Sequence, residues 1–248
     1  VLTRPVRRIT LITLIALTAS SVLLTACGGP ETPKAATDNA ARPAPHSAPR
    51  PAHITAEQAR GALLGTQDLP EGWKTAHKNK HRKKAELKGV QARCLPLAAV
   101  VNTGRLEGEY ATHAHRVFTK QGEDGQATGL AQDVSGYPRQ RAEQGMRRLR
   151  DAVEHCGSFT GTLADTQATL RVKRHDAPRY GDDVLAYSVS VTVDDVRMDF
   201  DLATVRSHGA VTTLVESHPA ETEHNRQAVD RALSVAATRL TRAAAATA

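Results

Sequence analysis

Three cysteines, at positions 27, 94 and 156, offer this chain its widest choice of chemistry. A thiolate can attack a carbonyl, ligate a metal or pair into a disulfide, and its surroundings decide which. His155 adjoins Cys156, but side chains one apart on a helix do not face each other, so the two do not make a nucleophile and its base. His113 and His115 stand two apart, hence on one face of a strand, and would begin a metal site if His77 or His81 came near. Two imidazoles alone do not make such a site, and solvated strand residues have the same pattern. There is no Gly-x-Ser-x-Gly elbow, no Ser-x-x-Lys pair and no His-Glu-x-x-His helix. The expectation is a chain with no catalytic residues, no metal and no cofactor.

Arg4, Arg7 and Arg8 precede a nearly uncharged run, Ile9 to Leu24, that closes on Leu24-Thr25-Ala26-Cys27-Gly28-Gly29. A basic start, an apolar middle and a small-residue end are the order of an export signal. At about 18 residues the apolar stretch is also near the lower limit for spanning a bilayer, but its ending decides against an anchor helix. Leu24-Thr25-Ala26-Cys27 resembles the lipobox of bacterial lipoproteins, in which small residues admit the signal peptidase and the thiol carries a diacylglycerol. Residues 1–26 are read as a removable signal, and Cys27 as the acylated first residue of a protein held to the extracytoplasmic face of the cell membrane. The Arg7-Arg8 pair leaves the general and twin-arginine export routes both open.

Loss of Arg4, Arg7 and Arg8 lowers the formal charge from +7 to +4, which implies no strong binding of nucleic acid. Aromatic residues, at 3%, are too scarce for a base-stacking surface. Residues 27–53 are mostly Ala, Pro, Thr and Ser, with too little apolar surface to offset the entropy of ordering them, and read as a disordered tether. Residues 54–248 remain as one folded domain.

Within that domain, Thr55-Ala56-Glu57-Gln58 has the spacing of a capping box and opens a helix through Leu64, before the turn Asp68-Leu69-Pro70-Glu71-Gly72 and an anchoring Trp73. Lys78, Lys80, Arg82, Lys83 and Lys84 form a dense basic run, either a solvated loop or a contact for anionic headgroups. Residues 94–101 make a short helix with Pro96 in its first turn, and 110–120 and 127–135 are strands around a Gly122 to Gly125 turn. Ala142, Met146, Leu149, Val153 and Cys156 share one face of a helix that Gly157 stops.

From 184 to 217 apolar and polar residues alternate around two two-residue turns. Asp194-Asp195 pairs 193 with 196, and His208-Gly209 pairs 202 with 215. Both turns put the same residues on one face, the mark of an antiparallel meander. The last helix, with Val229, Leu233, Ala236 and Leu240 in line, is expected to cover that face, and the Ala-rich end after Arg242 to fray. The fold class is therefore α+β, an antiparallel sheet with helices packed on one face. Ser188, Ser190, Asp199 and Asp201, on the opposite face, could line a polar, ligand-facing groove. An exposed sheet face would have the same pattern.

With Cys27 acylated, Cys94 and Cys156 are an even pair in an oxidising compartment and are expected to be bonded. Residues 63–73, the cysteine after a loop, the helix ending at Cys156, Gly181-Asp182-Asp183-Val184-Leu185-Ala186-Tyr187 and Val205-Arg206-Ser207-His208-Gly209 together resemble the extracellular sensor domain of the actinobacterial serine/threonine kinase PknH. The resemblance covers about 55–245 and rests on turns, a cysteine position and a hairpin, none catalytic. It implies a helix and sheet sandwich with a ligand cleft, and two disulfides of which this chain can make one. The function expected is a non-catalytic ligand-binding or sensing lipoprotein of the cell envelope, partnered by the membrane and an envelope ligand or signalling protein. The alternatives are an envelope enzyme of unrecognised type, marked by converging polar groups of perturbed pKa, and an acyl-chain carrier, marked by a large apolar cavity.

Overall fold

Thr55 begins α1 (Ala56–Gly61) with both halves of a capping box: its hydroxyl accepts from the Gln58 N–H at 3.2 Å, and the Gln58 side chain accepts from the Thr55 N–H at 2.7 Å. The helix stops at Gly61 instead of running to Leu64 because a buried side chain takes over its end. Gln132 accepts from the Leu64 N–H at 2.6 Å and donates to the Ala62 carbonyl at 3.2 Å. The computed structural model describes residues 53–76, 85–122, 125–219 and 227–247. The expected signal, Cys27, the expected tether up to residue 52, His77 and the basic run 78–84 lie outside the described residues.

Two short strands, β1 (Lys74–Thr75) and β2 (Leu87–Lys88), precede α2 (Leu95–Thr103). Pro96 occupies the first turn of α2, where a missing N–H costs little, and Gly104 ends it at φ +72°. The hairpin β3 (Thr112–Gln121) and β4 (Ala127–Gly136) leads into α3 (Arg139–His155). The α3 residues Ala142, Met146, Leu149 and Val153 are buried as their spacing predicts. Cys156 caps its C-terminus and Gly157 lies one residue further on. Four long strands follow, β6 (Thr166–His175), β7 (Asp183–Val193), β8 (Val196–Ser207) and β9 (Ala210–Pro219), with β5 (Ser158–Leu163) before them and α4 (Gln227–Ala245) last.

Among the described residues, nine strands join one antiparallel sheet in the order β1-β3-β4-β9-β8-β7-β6-β5-β2. The meander register is the one read from the turns: Val193 pairs with Val196, Val189 with Phe200 and Leu202 with Val215. Asp194 and Asp195 both take positive φ, 46° and 66°, as a two-residue hairpin loop of this kind requires. Ala164 and Asp165 do the same at 48° and 66°, closing a β5–β6 hairpin that the alternation analysis did not single out.

The fold class is α+β, but the helices lie on both faces of the sheet. Helices α2 and α3 pack on the face carrying Leu170, Leu185, Tyr187, Val189 and Leu202. Helices α1 and α4 pack on the other, over Phe118, Leu130, Ala203, Val205 and Leu214. Consecutive residues Leu202 and Ala203 thus belong to different cores. The central strands are apolar in both alternating sets, so α4 buries its Val229, Leu233, Ala236 and Leu240 stripe behind the meander instead of beside α3. Cys94 and Cys156 form a disulfide, Cα to Cα 6.0 Å, that ties the start of α2 to the end of α3. No described helix is long and apolar enough to cross a membrane.

Candidate functional site

The α2/α3 face of the sheet carries two features that packing alone does not require. One is an apolar cleft of about 420 Å³ between β2, the C-terminal half of α2 and the β5–β8 end of the sheet. Its floor is Leu170, Val191 and Phe200, Leu87, Val101 and Leu163 form its walls, and Val196 and Met198 stand at its mouth. Coverage explains why it stays open. Strands of 11 and 12 residues, β7 and β8, reach about 36 to 40 Å, whereas α2, with 9 residues, reaches about 14 Å. The hairpin tip runs past the helices, leaving Val196 66% and Met198 45% exposed. The sequence carries the signal in plain form, since apolar alternation continues up to Asp194-Asp195 where a solvent-facing tip would turn polar. That stretch reads as buried core in the sequence, and the structure leaves its end uncovered.

Among the described residues, the cleft has little to offer a polar ligand. The Asn102 side chain accepts from the Leu87 N–H at 2.8 Å and donates to the Leu87 carbonyl at 3.0 Å, so its amide is spent holding β2 against α2. Among the described residues, the lining of this pocket, which is in the size range of small-molecule sites, is almost wholly apolar.

The second feature lies at the β3–β4 end. His113 and His115 project from one face of β3, as their spacing dictates, and Asp133 of β4 sits directly across from His115. His113 Nε2 is 2.6 Å from Asp133 Oδ1, and His115 Nδ1 is 3.0 Å from Oδ2. Asp133 is 3% exposed. Arg105, just past the end of α2, approaches within 3.1 Å of His113 Nε2 and 3.7 Å of Asp133 Oδ1, with its guanidinium over the Tyr110 ring. Sequence reasoning found the two histidines but not Asp133, whose partnership depends on the β3–β4 register. Nearby Tyr137 is buried, and loss of water pushes its hydroxyl up to about 12, partly offset by the hydrogen bond it donates to the Leu106 carbonyl. Burial likewise raises the hydroxyl of Tyr187.

Ser188, Ser190, Asp199 and Asp201 share a face, the one that carries α1 and α4. Ser188 is 3.0 Å from His175 Nε2, and Arg197 donates to Ser190 and Asp199 at 3.1 and 2.9 Å. Asp201 is buried, 3.6 Å from His218 Nε2 and opposite Glu216 in the β8–β9 register. These four residues and the apolar cleft lie on opposite sides of the sheet.

No protein-family profile and no curated protein matches the chain. Among solved structures it is similar to the crystal structure of the extracellular domain of PknH from Mycobacterium tuberculosis, with 11% identity, a TM-score of 0.54, and coverage of 75% of this chain and 96% of that one. At that identity the likeness is one of fold: a mixed helix and sheet domain of the kind found outside the membrane in PknH.

Proposed function

We propose that this protein is a non-catalytic ligand-binding or sensing domain of the cell envelope, held at the membrane by an acylated Cys27, and that its ligand presents a hydrocarbon chain to the cleft between α2, β2 and the β5–β8 sheet. The observation that carries this is the apolar lining, with Met198 and Val196 at the mouth and Leu170 at the floor. Burial of a chain there yields about 0.8 kcal/mol per methylene, so eight buried methylenes give roughly 6 kcal/mol before ordering costs. The fold likeness to the PknH extracellular domain and the Cys94–Cys156 disulfide support an extracytoplasmic setting.

The test is a titration of the full chain with a dansyl-labelled fatty acid, read by dansyl emission, with Met198→Glu and Val191→Trp beside the parent. Saturable binding that weakens at least tenfold in both variants supports the reading. Absence of saturable binding, or binding indifferent to both substitutions, overturns it. Met198 is half exposed, so its replacement leaves the fold intact and decides the matter if Val191→Trp unfolds.

A further inference from the structure

We infer that His113, His115 and Asp133 form a binding site for a divalent metal ion of the zinc class, and that Arg105 competes with the ion for the same ligand atoms. Two imidazoles and one carboxylate are a borderline nitrogen and oxygen set, suited to Zn²⁺ and its transition-metal neighbours more than to Mg²⁺ or Ca²⁺. The strand geometry assembles it. Residues two apart on β3 face the same way, and the antiparallel register sets Asp133 across from His115.

Distances bear this out. The three ligand atoms lie within 4.8 Å of one another, and tetrahedral zinc, with bonds of about 2.0 to 2.1 Å, holds its ligand atoms about 3.4 Å apart. Rotations of about 1 Å at the side-chain ends convert one arrangement into the other. The backbone supports the carboxylate: Gly104 has φ +72°, and a Cβ there would lie 2.3 Å from Asp133 Oδ2. Tyr110 packs against the His113 ring, centroid to centroid 5.6 Å. Both imidazoles keep about a quarter of their side-chain surface exposed, at 25% and 28%, which leaves solvent a route to the site and water the remaining coordination positions.

A buried carboxylate needs a positive partner. Arg105 supplies one, with Nη1 3.7 Å from Asp133 Oδ1 and 3.1 Å from the His113 Nε2 that a metal would use. The guanidinium sits on a flexible stem and can withdraw while keeping the Tyr110 face beneath it. Metal and arginine are thus alternatives at one carboxylate. This site is independent of the ligand proposed for the cleft.

The full chain is titrated with Zn²⁺ against a chromogenic chelator, and with Co²⁺ to read visible d–d absorption. The expected results are one saturable equivalent, at least tenfold weaker binding in His115→Asn and in His113→Asn, and severalfold tighter binding in Arg105→Gln. Binding unchanged in both histidine variants would place the ion elsewhere among the eleven histidines and overturn the site. No saturable binding in either the parent or Arg105→Gln would do the same, and equal affinity in those two would overturn the competition. Asp133→Asn is expected to abolish the Co²⁺ bands. Should it fail to fold, the part-exposed histidines carry the test.

Discussion

Replacing Cys94 and Cys156 together by alanine should cost this domain about 4 kcal/mol. The bridge spans 62 residues, and on the chain-entropy relation a closed loop of that length removes about 14 cal/mol/K from the denatured chain, or about 4 kcal/mol at 25 °C. Against a typical total of about 5 to 15 kcal/mol, that is a large share. For a domain of this size each kcal/mol moves Tm by about 2 to 4 °C, so the melt should fall by about 8 to 16 °C. Urea denaturation followed by far-UV circular dichroism measures it. The m-value should rise, because an uncrosslinked denatured chain exposes more surface. Reducing agent should lower the parent to the level of the variant and leave the variant unchanged. Both sulfurs are buried at the junction of α2 and α3, so some native repacking adds to the entropic term. A loss under 1 kcal/mol with unchanged m-value would refute the reasoning, as would free thiols at both positions in protein taken from the envelope.

Cys27→Ala should leave an unprocessed precursor that takes up no labelled palmitate, and normal labelling would remove the lipid anchor from the proposal. Gly209→Ala would bring a Cβ within 2.3 Å of the Tyr137 carbonyl and strain the bond that the Tyr137 N–H donates to Gly209 at 2.8 Å, so a loss of about 1 to 3 kcal/mol is expected in urea melts. The alkaline limb of stability should be steep. With Tyr137 raised from 10 to about 12 and Tyr187 raised by burial, the folded state holds protons that the unfolded chain releases. Their contribution is therefore complete below pH 10 and is lost as pH rises through about 12. Of the four tyrosines, two should show phenolate absorbance only on unfolding, and early titration of all four would contradict this.

Local chemistry was legible in the residues themselves. The Thr55–Gln58 capping box, the α3 stripe and the paired turns at 194–195 and 208–209 are each specified within a dozen residues, and each stands as the spacing requires. The Cys94–Cys156 bond followed from counting thiols in a chain read as exported. Which sheet face receives α4 was not legible, because Ala203, Val205 and Leu214 are as apolar as the set that includes Leu202, and a strand buried on both sides carries no alternation to choose by. Nor was the partner of His113 and His115. Asp133 is 20 residues from one and 18 from the other, an ordinary acidic residue until the β3–β4 register places it between them. The apolar cleft, too, is a property of the assembled layers. The sequence shows that Val191, Val193, Val196, Met198 and Phe200 are hydrophobic. That α2 is too short to cover them is decided where helix and sheet meet, since burial belongs to the packed arrangement of elements and not to any one of them.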